Sequence, residues 1–248
     1  MASSGQTGRL AGKNAIVTGA GGGIGLETCI LFAKEGANVL MADISEPALE
    51  KALAKVKQLV PGAGRVETRK TDVSKEADVK ALVEHLDAWG GLDVIFNNAG
   101  IMHAQDDDAV NTPEAIWDLT HNINVKGVWF GCKHAGAVLA LTRELAMVHA
   151  RENFRFNNLC PAPLNTPLLQ DWLGDDKPKR QRREIHFPMG RFGEAIEQAQ
   201  AVVFLASDES SFVNGHDFVV DGGMTKAYVT AEGPAVPPPQ NNALKDSL

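Results

Sequence analysis

The sequence predicts an α/β fold built as a doubly wound parallel sheet, and three observations predict it. Short apolar, β-branched runs alternate with segments of helical period along the first hundred residues, as successive βαβ units require. A glycine cluster stands between the first such run and the first helical segment, where a tight strand-to-helix turn is needed. The composition fits a single core: 248 residues are 44% hydrophobic and 22% charged, enough chain to bury a full interior.

Asn14 to Thr18 (NAIVT) reads as the first strand, and Ile24 to Glu35 as a helix with Ile24, Ile30, Leu31 and Phe32 at helical spacing. Gly36 ends that helix. Asn38 to Ala42 is a second strand, and Pro47 to Leu59 a second helix opened by Ser45 with proline at an early position. Val66 to Lys70 follows as a strand, Glu76 to Trp89 as a helix, and Asp93 to Phe96 as a strand running into Asn97-Asn98-Ala99-Gly100. The alternation then stops. Between Pro113 and Glu152 there is no further proline and no run that is strand-like without also being helical in period. One continuous helix of that length would extend about 60 Å, too long for a compact domain of this size, so the segment must bend, break or leave the body of the fold. Phe154 to Leu159 reads as a strand, residues 161–193 as a proline- and charge-rich excursion, Glu194 to Ala206 as a helix and Asp217 to Val220 as the last strand. Residues 230–248 hold four of the twelve prolines and little apolar content, and read as a disordered or surface-draped tail beyond a single domain of residues 1–229.

Gly19-Ala20-Gly21-Gly22-Gly23-Ile24-Gly25 can turn tightly, let backbone approach a pyrophosphate, and present the free N–H groups of a helix start to it. Asp43, after the second strand, is placed to accept hydrogen bonds from an adenosine ribose. Its charge would repel a 2′-phosphate, and neither Ala20 to Gly22 nor Ile44 supplies a cation to offset that. The expected cofactor is NAD.

With these residues in view, the chain resembles a short-chain dehydrogenase/reductase, a family of Rossmann-like fold. Gly19, Gly23 and Gly25 match its TGxxxGxG, Asp72-Val73 its adenine-contacting pair, and Asn98-Ala99-Gly100 lie in its NNAG. Asn124 stands in NVKG, Pro161 closes NNLCP, Thr166 is the hydroxyl expected near the nicotinamide carboxamide, and Val220-Asp221-Gly222-Gly223 follows the last strand. Ala162 stands where the family usually has Gly. The resemblance spans roughly residues 10 to 225. It implies cofactor contacts at Gly19, Gly23, Ile24, Gly25, Asp43, Asp72, Val73, Asn98, Ala99, Gly100, Pro161 and Thr166. It also implies a small alcohol or carbonyl substrate, no metal, and helices after the fourth strand that serve the family as dimer surfaces.

Four catalytic side chains belong to that resemblance: a Tyr, a Lys four residues later, a Ser and an Asn. Of these the chain carries only the last, Asn124. Its single Tyr, Tyr228, is followed four residues on by Glu232, and no Ser lies between Ser74 and Ser207. Phe130 to Ala135 resembles the end of one family helix, and Gly136 to Leu145 resembles the part of the next helix that follows the catalytic Lys. Roughly 35 residues expected between them, including the fifth strand, are missing between Ala135 and Gly136. The expectation is a Rossmann-like fold with the fifth-strand region deleted, its sheet repaired only if the strand near Phe154 crosses to pair with the one near Asp93. The function implied is NAD-dependent alcohol or carbonyl oxidoreduction with a truncated active site. The alternatives are an inactive NAD-binding or dimerising module, or a splice or gene-model variant of a dehydrogenase.

A net charge of −7 and a pI near 5.5 argue against a general nucleic-acid or anionic-membrane binder. Cys29, Cys132 and Cys160 form no CxxC pair, which suits a reduced compartment. Residues 1–9 lack an apolar leader core and no run of about 18 apolar residues follows, so a cytoplasmic protein is expected. His121, Lys133 and His134 near Asn124 read as surface positions rather than substitute catalysts. Lys177 to Arg183 (KPKRQRR) reads as a solvated loop, and Asp106 to Asp108 as an exposed loop rather than a cation site.

Overall fold

The computed structural model describes residues 8–135 and 140–226, with only the backbone of 135, 140 and 141. Tyr228, the tail 230–248 and the junction residue Gly136 lie outside the described residues. Strand β1 (Asn14–Thr18) is buried at every position. It lies between β2 (Asn38–Asp43) and β4 (Val94–Phe96), with β3 (Val66–Lys70) outside β2, and all four strands run parallel. The continuous apolar character of β1 and β2 follows from cover on both faces. Ala15, Val17, Val39 and Met41 enter a core with Cys29, Phe32, Leu49 and Val56 on one face. Ile16, Leu40 and Ala42 meet Leu82 and Leu86 on the other.

Helix α1 (Gly23–Lys34) ends where Gly36 takes a left-handed φ of 85°. Ser45 Oγ accepts from Ala48 N at 3.3 Å and caps α2 (Glu46–Leu59), with Pro47 in its first turn. The segment read as one helix over 76–89 is α3 (Glu76–Glu84) followed by a tighter 3₁₀ turn, His85–Trp89, that stops at Gly90. Helix α4 (Glu114–His121) passes through a π-helical turn, Asn122–Lys126, into α5 (Gly127–Ala135), and α6 (Ala140–Val148) follows. The long segment therefore divides, and its two parts serve different neighbours. Lys133 and His134 of α5 both reach Glu76 of α3, at 2.6 and 3.2 Å. On α6, Thr142 Oγ1 donates to Asn158 Oδ1 at 3.0 Å and Arg143 pairs with Asp217, so α6 sits on a second sheet.

That second sheet is β5 (Asn158–Pro161) paired in parallel with β6 (Asp217–Val220), and it shares no ladder with the first four strands. The expected strand over 154–159 thus begins later. Phe156 N donates to Asn214 Oδ1 at 2.8 Å, and Phe154 stacks on Phe156, so side chains occupy the backbone and rings that a longer ladder would need. The re-pairing of this strand with β4 does not occur either. Its position is held from α9 (Ala195–Ala206), which packs on α1 through Val202, Val203 and Ala206. Arg155, just ahead of β5, donates to Leu205 O, Ser207 O and Ser210 Oγ at 2.9 to 3.1 Å at the end of that helix. Val94, Phe96 and Leu159 nonetheless press on one common core, so β4 and β5 are two unpaired parallel edges over the same helical layer.

Backbone groups alternate sides along a strand. Asp93 N donates to Asn14 O and Asn158 N to His216 O, so the amides of Val94, Phe96 and Leu159 face the open side. Hydrogen exchange by NMR is expected to show these three amides exchanging at least tenfold faster than Ile95 and Cys160, which face partners. Equal protection at all five would mean that the edges are paired in solution.

The excursion over 161–193 is more ordered than its composition suggests. It contains α7 (Pro167–Leu173), capped by Thr166, and α8 (Lys177–Glu184), capped by Asp176 Oδ1 accepting from Lys179 N at 2.8 Å. The basic run read as a loop is this second helix. Leu169, Leu173, Phe187 and Phe192 give the lobe its own small core.

Candidate nucleotide-binding site

The glycine turn lies at the carboxyl ends of β1 and β4, where open α/β sheets leave a crevice. Gly19 and Gly23 have φ of 66° and 53°, which side-chain-bearing residues adopt only with strain. A Cβ on Gly25 would fall 2.2 Å from Gly19 O, so the start of α1 rests directly on the turn. A Cβ on Gly22 would meet nothing within 4 Å, so the outer side of the turn is open. No side chain caps α1 and no acid occupies its first turn, so its amides and positive dipole end remain available to an anion. These features fit a pyrophosphate.

Asp43, at the end of β2, accepts from Gly21 N through Oδ2 and from Ser45 N through Oδ1, both at 3.0 Å. The carboxylate is thereby fixed beside the glycine turn. Asp72 accepts from Ser74 Oγ at 2.7 Å and Ser74 N at 3.1 Å, and Lys75 Nζ lies 3.1 Å away. Burial raises its pKa, but the hydrogen bonds from Ser74 and Lys75 outweigh that and hold it below the usual carboxylate range. Val73 presses against Gly127, where a Cβ would come within 2.9 Å of its side chain. Asn98 Nδ2 donates to Thr18 O at 2.9 Å, while Thr18 Oγ1 accepts from Asn98 N and Ala99 N at 3.0 Å. Thr18 opens the glycine motif in the sequence, but the motif alone assigns its hydroxyl no role. Its place between strand and glycine turn was the available signal, since a hydroxyl there can knit the ends of two neighbouring strands.

Asn124 sits in the π-helical turn, and its carboxamide clamps Ile101: Oδ1 accepts from Ile101 N at 2.8 Å and Nδ2 donates to Ile101 O at 2.9 Å. Gly100 lies against the same carboxamide, its Cβ position 3.3 Å from Asn124 Oδ1. Thr166 leans over the turn, with Cγ2 3.8 Å from the Cβ position of Gly23, and its Oγ1 caps α7. Pro161 ends β5 on the other side of the gap between the sheets. Gly19, Gly23, Ile24, Gly25, Asp43 and Asn98 to Gly100 therefore cluster around one crevice, with Thr166 joining from the second sheet's lobe.

The substitute catalysts considered from sequence are engaged elsewhere. His121 stacks on Trp117 and bonds its carbonyl at 2.9 Å. Lys133 and His134 are spent on Glu76, whose carboxyl Lys133 holds below its ordinary range. Burial pushes the Cys132 thiol up to about 12, which leaves it protonated and poorly nucleophilic. Asp108 closes its own loop, accepting from Val110 N and Asn111 N. No described helix is long and apolar enough to cross a membrane.

A parallel α/β fold with a glycine turn and a fixed carboxylate at the next strand's end defines a class of nucleotide-binding proteins. Within that class, residues 13–137 match the family "short chain dehydrogenase", residues 136–225 match "Enoyl-(Acyl carrier protein) reductase", and the chain belongs to the short-chain dehydrogenases. A 2,5-dichloro-2,5-cyclohexadiene-1,4-diol dehydrogenase of Sphingobium indicum is 36% identical, the match taking in 87% of this chain and 98% of that protein. A 3-oxoacyl-(acyl-carrier-protein) reductase of Thermotoga maritima is 33% identical, with 87% and 99% covered. The crystal structure of a levodione reductase superposes with a TM-score of 0.81 at 30% identity, over 88% of this chain and 100% of that one. These relatives are named as dehydrogenases and reductases, and the fold is the Rossmann-like one they share.

Proposed function

We propose that this chain is an NAD-binding member of the family that lacks the proton-transfer centre needed for hydride transfer. The observation that carries the binding half is Asp43, held by Gly21 N and Ser45 N at the mouth of the glycine turn. The turn and the first turn of α1 would hold the pyrophosphate, Asp43 the adenosine ribose, Asp72 and Val73 the adenine, and Asn98, Ala99, Gly100, Pro161 and Thr166 the nicotinamide half. When bound, NAD supplies a hydride acceptor. The chain's own contribution is to orient it, and Asn124 acts as a positioning residue through Ile101.

The missing centre is supported by the sequence and by the relatives. No YxxxK occurs and no Ser stands between Ser74 and Ser207. The 255-position match to the Sphingobium dehydrogenase takes in 87% of this chain, about 216 residues, which leaves roughly 39 positions without a counterpart. The two family matches meet at residues 136 and 137, beside the expected junction. The same observations favour a second reading, a mis-joined product of a dehydrogenase gene. Coding potential for a strand with Ser and YxxxK between the codons for Ala135 and Gly136 would establish it. A cytoplasmic location and a homo-oligomer formed through the helices after β4 belong to the same proposal.

Calorimetric titration tests the binding half. NAD is expected to bind at least tenfold tighter than NADP. Asp43→Ala should lower NAD affinity by about 1.5–3 kcal/mol, the worth of a hydrogen bond to a charged group, and narrow the preference. Equal binding of both nucleotides by the unaltered chain would overturn the assignment of Asp43.

A further inference from the structure

We propose that Trp172, Lys179, Arg182, Arg183 and His186 form a subsite for a small phosphorylated anion carrying two or more negative charges. These five residues line an open cavity of about 410 Å³ between α7 and α8. All five carry nitrogen donors and none is an acid. Trp172 fixes two of the cations: Lys179 Nζ lies 3.7 Å and Arg183 Cζ 4.3 Å from its ring centroid. Lys179 Nζ also donates to Trp172 O at 2.9 Å, so its long side chain is already ordered and little rotamer freedom remains to be lost on binding.

Asp176 and Glu184, two of the acids in this stretch, are committed elsewhere, and no acid lines the cavity. Asp176 caps α8 through Lys179 N. Glu184 pairs with Arg180 at 2.9 Å, and Arg180 in turn reaches Asn165 and Gln170 rather than the cavity. Lys179 and Arg183 stand four residues apart, a like-charge spacing that repels on a helix when no counter-charge is present. A chain of net charge −7 does not need this concentration of positive charge for solubility. Arg forks and Lys point charges around one opening instead suit the several oxygens of a phosphate or pyrophosphate. None of the five residues is among those assigned to the nucleotide, so the proposal does not depend on the nucleotide reading.

The test is calorimetry at low salt with the full chain, titrated with inorganic pyrophosphate and separately with glucose 6-phosphate, each with and without saturating NAD. The expected result is one site of sub-millimolar affinity for at least one probe, unchanged by NAD. It should weaken at least tenfold in an Arg182→Glu/Arg183→Glu chain and fall as salt is raised. The tighter of the two probes tells whether an inorganic or an organic phosphate is the better ligand. Both substituted positions are exposed, and an unchanged NAD affinity and circular dichroism spectrum show that the variant has folded. As a second measurement, the Trp172 indole NMR signal, assigned by its loss in Trp172→Phe, should shift with the bound probe. Binding of neither probe, equal affinity in the double variant, or loss of the site when NAD is added would each overturn the proposal. So would binding to anionic vesicles or RNA alone.

Discussion

NADH formation by this chain, followed by absorbance with saturating NAD and a panel of secondary alcohols, is expected to run at least 10²–10⁴-fold below that of a short-chain dehydrogenase with a complete Ser, Tyr and Lys set. That factor is the usual worth of one positioned general acid or base, about 2.7–5.4 kcal/mol of barrier at 1.36 kcal/mol per decade. The Lys that would lower the tyrosine's pKa and the Ser that would polarise the carbonyl oxygen are absent from the sequence as well, so the loss should lie toward or beyond the upper end. Among the described residues the candidates do not replace them: His121, Lys133 and His134 are held by Trp117 and Glu76, and burial keeps the Cys132 thiol protonated. Turnover within tenfold of the complete enzyme would sink the reading of a missing centre.

Gly25→Ala is expected to abolish measurable NAD binding and to lower the melting midpoint. The new methyl would sit 2.2 Å from Gly19 O, a backbone atom of the turn that holds the pyrophosphate, so relief requires α1 or the turn to move. Overpacking of this kind costs about 1–3 kcal/mol, or roughly 2–12 °C for a domain of this size. Gly22→Ala makes the comparison informative. Gly22 is extended, with φ of −173° and no atom within 4 Å of its Cβ position, so its substitution should leave the midpoint unchanged and weaken NAD only by obstructing the cofactor's approach. Calorimetry and thermal melts of both variants check the pair. Retained NAD affinity in Gly25→Ala would show that the turn is not where the nucleotide rests.

The first half of the molecule was legible because each local signal agreed with its neighbours. The apolar run Asn14 to Thr18, the glycines after it and Ser45 before the second helix each name one physical requirement, and together they describe the sheet and the crevice. Legibility ended where tertiary partners decide. Nothing local says that Phe154 and Phe156 will stack while Asn214 takes the Phe156 amide, which delays β5. The basic run was misread for a related reason: its charge suggested solvent, whereas Asp176 at the cap and the broad face of Trp172 make it a helix. Asn124 was found by its motif, but its grip on Ile101 through both atoms of the carboxamide is a contact across 23 positions that no spacing announces.

The packing of α9 on α1 also dictates an order of events during synthesis. The two helices are separated by about 160 residues, and at a translation rate of ~5–20 residues/s the second leaves the ribosome roughly 8 to 32 s after the first. The first four strands and their helices can assemble in that interval, since their contacts close short loops. The side of α1 that awaits α9 stays bare meanwhile, a greasy surface on a nascent chain. Holdase chaperones would find their target on that half-built domain, and a chain stalled before residue 195 would keep it uncovered for good.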